Sequence, residues 1–308
     1  MRVLHIDAGK TLRGGQWQTL HLVGGLAEYG VLVRLLAVRG SPLFREAQSR
    51  GLKVLPLNLF SVWRESGWAD LVQCHDSRSH TMAWLASIGP GQHAPVVVSR
   101  RVAFSVKNTI FTGMKYGSAA LFLSISRAVS AQLSAAGVAE DRIALVPDGV
   151  IVPPYTGNRT GGIVALDSPD PAKGRSLLRG VKPRIAFVRD LEKAFRTARI
   201  FLYASEMEGL GSAVLLAMAH GVPVIASNVG GLPEIVWNGT TGLLVENTPL
   251  AFESAIRRLD ADPPLAAQMI RSARAMVEQC YTVEHMVERT LACYRKVLGY
   301  PIGIQRFH

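Results

Sequence analysis

The stretch Ser205-Glu206-Met207-Glu208-Gly209-Leu210-Gly211-Ser212, continued by Ala213-Val214-Leu215-Leu216-Ala217-Met218-Ala219-His220-Gly221-Val222-Pro223, decides how the chain is read. The apolar run from Ile200 to Ala204 has the pattern of a buried strand. It ends in an acidic, glycine-spaced loop that opens straight into a helix. Gly209 and Gly211 let backbone N–H groups approach a ligand, and the helix N-terminus behind them carries partial positive charge. Together they make an anion cradle, with Glu208 beside it as a fixed hydrogen-bond acceptor. Such a site suits a ligand with phosphates at one end and hydroxyls at the other, as in a nucleotide sugar. The plainer reading is a tight turn whose carboxylate satisfies free helix N–H groups.

Outward from this stretch, apolar β-branched runs alternate with segments of helical period. In the first half, strands are expected near 3–7, 31–38, 53–58, 70–74, 95–99, 119–125 and 142–146. Helices are expected near 16–29, 42–50, 78–88, 106–116 and 127–136. Continuous apolar strands separated by helices indicate a parallel sheet covered on both faces. Pro153-Pro154 and the glycine-rich 157–162 stretch form the natural linker. A second series follows, with strands at 163–166, 184–188, 200–204, 222–226 and 242–245. The expected fold is therefore α/β, with two doubly wound domains facing across a cleft and ligands at the carboxyl ends of the strands. The domains are drawn at 1–152 and 153–282. A C-terminal helix in 283–308 presents Val283, Met286, Val287, Leu291 and Val297 on one face and should pack back onto the body.

At 308 residues, 48% hydrophobic and 19% charged, the chain can bury two cores of ordinary size. Its three cysteines, Cys74, Cys280 and Cys293, lack C-x-x-C spacing, which argues for a reducing compartment and against disulfides or a zinc site. The N-terminus runs directly into a strand, so no secretion signal is expected, and no apolar run is long enough to span a bilayer. A cytoplasmic protein is expected, either free or peripheral at the inner face of the membrane. The formal charge of +11 calls for an acidic partner: donor phosphates, an anionic lipid surface or nucleic acid. The basic residues are spread out and no nucleic-acid motif is present, so nucleic acid fits least.

The order E-G-x-G, apolar helix, G-V-P-V-I-A-S, G-G-x-P-E and G-x-x-G-x-L-V resembles the donor-binding half of the retaining glycosyltransferases of family 4. Here these are Glu208-Gly209-Leu210-Gly211, Gly221 to Ser227, Gly230-Gly231-Leu232-Pro233-Glu234 and Gly239-Thr240-Thr241-Gly242-Leu243-Leu244-Val245. An ordered series of this kind is far more specific than one glycine motif. Weaker likenesses are Gly14-Gly15 after the first strand, His75-Asp76 after a later one, and Pro147-Asp148-Gly149-Val150. The chain departs from the family in two places. Leu216 stands where a second glutamate usually holds the nucleotide's ribose, and the arginine often found before the Lys-Gly pair is missing. The short spacing from Lys173 to Glu208 also implies that a strand–helix unit common in the family is absent.

The resemblance implies the GT-B arrangement of two Rossmann-like domains, the first for an acceptor and the second for a nucleotide-sugar donor. It implies transfer with retention of anomeric configuration, with no cofactor or metal ion. Glu208, His75 and Lys173 are the expected catalytic residues: Glu208 and His75 toward the donor sugar, Lys173 toward the pyrophosphate. Gly209, Leu210, Gly211 and Ser212 would hold phosphate, joined by Gly14 and Gly15 at the first strand's end. Each has a plainer reading: a surface lysine, a structural histidine with Asp76 as helix cap, and a bare turn. Arg100, Arg101 and Lys107 lie among apolar and aromatic residues. They read either as a contact for anionic lipid or a lipid-linked glycan acceptor, or as the solvated face of a half-buried helix. A sugar-nucleotide epimerase, a sugar phosphorylase and a scaffold protein that has lost catalysis are the competing functions.

Overall fold

The computed structural model describes residues 1–91, 93–104, 109–157 and 159–300. Two compact units divide them: 1–147 with 283–300, and 148–282. The first unit runs β1 (Arg2–Asp7), α1 (Gly14–Glu28), β2 (Leu32–Ala37), α2 (Pro42–Ser49), β3 (Val54–Pro56), α3 (Leu59–Ser66) and β4 (Leu71–Cys74). It continues through α4 (Ser77–Ser87), β5 (Val96–Arg100), α5 (Ile110–Ser118), β6 (Leu121–Ser124), α6 (Arg127–Ala135) and β7 (Ile143–Leu145). The strands form one parallel sheet in the order β3-β2-β1-β4-β5-β6-β7. Its order reverses between β1 and β4, so the carboxyl ends of those two strands flank the natural ligand crevice.

The period of two along each strand sorts side chains between two helical layers. Val3, Leu71, Val97 and Leu121 pack under Leu22 and Leu26 of α1, while Leu4, Val72, Val98 and Phe122 pack under Val62, Ala83 and Leu133 of the opposite layer. This double coverage is why the strands read as mainly apolar runs.

The second unit runs β8 (Ile163–Leu166), α7 (Arg175–Arg179), β9 (Ala186–Val188), α8 (Leu191–Phe195), β10 (Ile200–Tyr203), α9 (Ser212–Ala219), β11 (Val224–Ser227), β12 (Leu243–Val245), α10 (Pro249–Ala261) and α11 (Pro263–Cys280). Its parallel sheet has the order β12-β11-β10-β8-β9, which puts the reversal between β8 and β10. The chain is thus α/β with two Rossmann-like parallel-sheet units.

Two local differences from the sequence reading have physical reasons. Helix α3 was not expected; Asn58 caps it, its side chain accepting from Ser61 N–H at 2.8 Å. Lys173 ends a 3-10 turn, and Gly174 sits in the left-handed region at φ +59° before α7 starts. Between Lys173 and Glu208 the chain forms α7, β9 and α8 before β10, and β9 is the strand expected at 184–188, at the sheet edge. Finally, residues 148–152 fall in the second unit because Val150 bridges Thr282 and donates its N–H to the Tyr281 carbonyl at 2.9 Å.

The chain returns to the first unit as α12 (Val283–Leu298), which lays Met286, Val287, Leu291 and Tyr294 on the β1/α1 layer. A Cβ at Gly25 of α1 would lie 2.6 Å from Val287 Cγ2, so the mid-helix glycine allows this close approach. The buried Tyr294 hydroxyl donates to Gln73 Oε1, and Gln73 Nε2 donates to Ser99 Oγ at 2.6 Å. Tyr294→Phe should strand the Gln73 carbonyl in the core and cost about 1–3 kcal/mol in urea unfolding. Adding Gln73→Leu should recover part of that loss, and equal stability of wild type and Tyr294→Phe would contradict the assignment.

Candidate functional site

In the second unit, the loops after β8 and β10 lie against each other. Glu206 N–H donates to the Ala172 carbonyl at 2.9 Å, and a Cβ on Gly174 would come 2.4 Å from Ala204 Cβ. That contact brings Lys173 to Glu208. Lys173 Nζ donates to Glu208 Oε2 at 2.5 Å and to the Tyr203 hydroxyl at 3.0 Å, and the Tyr203 hydroxyl also bonds Glu208 Oε2. Gly209 N–H donates to Glu208 Oε1 at 3.1 Å. Burial first, then the Glu208 charge, pushes the Tyr203 phenol well above its ordinary value, so it stays protonated.

The loop carrying Glu208 and Gly209 is supported from below by Gly230 and Gly231. Gly231 N–H donates to the Glu208 carbonyl at 3.0 Å. Cβ atoms at these glycines would lie 2.0 Å from Glu208 O and 2.1 Å from Gly209 O, respectively, so no side chain fits at either position. Gly211 caps α9 at φ +102°, and Leu210 is buried. Along α9, Ser212 and Leu216 share a stripe that stays half-buried, as does Ala213, while the rest of the helix is buried. A further lock joins three strand ends. Ser205 N–H donates to Ser227 Oγ at 2.9 Å, Ser227 donates to Asn247 Oδ1, and Asn247 Nδ2 donates to the Ser205 carbonyl at 2.9 Å. Sequence reasoning missed Tyr203, Ser227 and Asn247. Only their positions at strand ends could have pointed to them.

In the first unit, the strand-end group gathers at β1, β4 and β5. Buried Asp7 accepts from Gly9 N–H at 2.8 Å and Thr19 Oγ1 at 2.8 Å; burial raises its pKa, and the Gly9 bond opposes the rise. Asp76 is a helix cap, with Oδ1 accepting from Arg78 and Ser79 N–H at 2.8 and 2.9 Å and Oδ2 from Ala8 N–H at 2.7 Å.

His75 is buried, its ring nearly parallel to that of His5 at 17° with 5.2 Å between centroids. Its Nε2 lies 2.9 Å from His5 Nδ1, and its Nδ1 lies 3.1 Å from Arg101 Nη1. Arginine can only donate, so His75 accepts at Nδ1 and carries its proton on Nε2, and His5 accepts that proton at Nδ1. Burial, then the Arg101 charge, pushes His5 down to about 3 and His75 well below its ordinary value. Both rings are neutral near pH 7.

Gly15 lies in the same group, its Cβ direction 4.0 Å from Arg101 Cδ. Gly14 begins α1 beside it. Arg100 Nη2 donates to the Phe104 carbonyl at 2.7 Å, and Lys115 Nζ reaches Ser77 and Thr81 hydroxyls at 3.3 Å. The structure therefore sets Arg101 against His75, apart from the apolar face of α5. That face exposes Ile110, Phe111 and Met114 by 83%, 73% and 56%. Lys107 lies outside the described residues. His80 belongs to the core, against Tyr116 and Phe122, with burial lowering its pKa to about 3. Among the described residues, no group of three or more His, Cys, Asp and Glu could hold a metal ion.

Residues 180–276 match the family model described as glycosyl transferases group 1. Alpha-maltose-1-phosphate synthase of Mycolicibacterium smegmatis is 38% identical over 114 residues, 35% of this chain and 30% of that protein. D-inositol 3-phosphate glycosyltransferase of Streptomyces avermitilis is 37% identical over 101 residues, 32% of this chain and 22% of that protein. The matches thus span under a third of the length of these curated relatives. Anabaena Alr3699/HepE in complex with UDP-glucose superposes with a TM-score of 0.84 at 13% identity, over 96% of this chain and 100% of that one. A glycosyltransferase from Rickettsia africae ESF-5 gives 0.80 at 18% identity, over 96% and 98%. Likeness at these identities is one of fold, the GT-B fold.

The neutral histidines set an acid limit on the fold. A histidine whose pKa is lowered on folding binds its proton more readily when unfolded. Stability is therefore complete above about pH 6.5 and falls as pH drops toward the folded value near 3. The fall is at most about 1.4 kcal/mol per pH unit for each such group. His5→Gln should flatten the stability curve between pH 6 and 4 by up to that slope in equilibrium unfolding. An unchanged slope would remove His5 as a source.

Proposed function

We propose that the chain is a retaining glycosyltransferase that moves a sugar from a nucleotide-sugar donor to a cell-envelope polysaccharide or lipid-linked glycan. The observation that carries this reading is the Glu208 carboxylate held beside Lys173 and the N-terminus of α9, within the segment that matches the family model. In this reading the donor's phosphates lie on the N–H groups of Gly209 to Ser212. Lys173 neutralises charge on the departing nucleoside diphosphate. Glu208 accepts hydroxyls of the donor sugar and orients its anomeric carbon. Lys173 and the helix end meet the phosphate charge, and no metal ion is assigned a role.

In this reading the first unit takes the acceptor, with Arg101 on its ligand side, while His75 and the Gly14–Gly15 turn keep the roles toward the donor that the resemblance implies. With both His75 ring nitrogens engaged and both rings neutral, the positive charge of this group is that of Arg101. The half-buried Leu216 leaves ribose to be held by groups other than a carboxylate on α9.

Glu208→Gln keeps shape and removes charge. It should lower transfer by on the order of a hundredfold or more while leaving the melting temperature within a few degrees. Turnover at the wild-type rate would sink the site. Proton NMR of the fresh product reads the anomeric configuration, and an inverted linkage would refute retention.

The exposed Ile110, Phe111 and Met114 favour a location at the cytoplasmic membrane face, where the acceptor would be lipid-linked. With a net charge of +11, binding should prefer anionic vesicles and weaken with salt. Co-sedimentation should show the protein pelleting with anionic vesicles at low salt and Phe111→Asp staying in the supernatant. A wild-type protein that stays in solution points to a soluble acceptor.

A further inference from the structure

We propose that Tyr203 is the positioning residue of Glu208, fixing the carboxylate so that Oε1 alone is open to a ligand hydroxyl; the inference rests on the donor-site reading of Glu208. Tyr203 closes β10 and is buried, its ring packed near Phe201 at 5.8 Å between centroids. The Lys173 ammonium has only donor hydrogens. In its 3.0 Å contact with Lys173 Nζ, the Tyr203 oxygen therefore accepts. The single phenolic proton is then directed to Glu208 Oε2.

Oε2 thus receives two donors, the phenol and the ammonium at 2.5 Å, which occupy its two lone pairs. Oε1 receives Gly209 N–H at 3.1 Å and keeps one lone pair. A ligand hydroxyl that Glu208 binds must donate to that lone pair. Lysine could not fix the carboxylate by itself, because its charge sits on a flexible four-carbon stem with rotatable donors. The tyrosine, with its ring wedged in the sheet, is the rigid member of the trio. Its burial among apolar strands also keeps the proton on the phenol, so the donation persists at every working pH.

Tyr203→Phe removes one oxygen and keeps the ring. The ion pair that remains leaves both charges partnered, so the fold should survive. A crystal structure of the ligand-free variant should show the Glu208 carboxylate turned or split between conformers. A carboxylate superposing on the position described above would overturn the proposal whatever the donor is. Kinetics beside Glu208→Gln, with UDP-glucose as the probe, give the second readout. Tyr203→Phe should lower kcat about tenfold or more with donor KM changed less than about twofold, because backbone groups hold the phosphates. A matched rise in KM with kcat unchanged would mean that the hydroxyl only helps to bind the donor, against the proposal. If Glu208→Gln fails and Tyr203→Phe does not, the positioning role falls and the donor site stands. Full turnover by both variants removes the donor site itself.

Discussion

The second unit depends on the contact between the Glu208–Gly209 backbone and the backbone of Gly230 and Gly231. The two segments approach so closely that even a methyl group is excluded at either glycine. That approach fixes the height of the loop above the sheet, and with it the direction of Glu208 and the entry into α9. Two adjacent glycines lose more conformational freedom on folding than any other pair, a cost that surrounding burial has to offset. Leu210 and Leu232, both buried beside the contact, supply part of the compensation, and the Ser205–Ser227–Asn247 lock ties the same loop to the neighbouring strands.

The two units treat charge differently at equivalent places, the carboxyl ends of the strands where each sheet reverses. At β8 and β10 the charges are present and paired: lysine against glutamate, with a phenol between them. At β1 and β4 burial keeps both histidines neutral, and the charge stands on Arg101 at the outer end of the line. The first arrangement leaves a carboxylate oriented for hydroxyls, and the second leaves a guanidinium braced by an imidazole.

Much of the architecture was legible because both sheets are parallel and covered on both faces, which turns strands such as Ile163–Leu166 and Ile200–Tyr203 into uninterrupted apolar runs. Helix α3 was not legible: it is short, and its Leu59, Phe60 and Trp63 are exposed, so its period is blurred. The glycine motifs identified Glu208, but nothing local could say why Gly230-Gly231 recurs twenty-odd residues later, since the reason is a backbone contact. Tyr203 read as one more apolar strand residue; its role depends on a hydroxyl meeting two side chains from different loops. His75 was chosen for its place after a strand, and that place is right. Its ring nitrogens, however, are both engaged by partners distant in sequence, His5 and Arg101, whose contacts no spacing rule encodes.

The first unit is discontinuous in sequence, and this bears on how the molecule is made. Strand β1 and helix α1 leave the ribosome well before α12, yet the layer that covers Val3, Leu22 and Leu26 is completed only by Met286, Val287 and Leu291. The second unit, continuous from 148 to 282, has all its parts before α12 is synthesised. During that interval the first unit carries an open apolar face that a nascent chain must keep from others of its kind. The last helix is thus a closing element whose arrival ends the period of greatest exposure to aggregation.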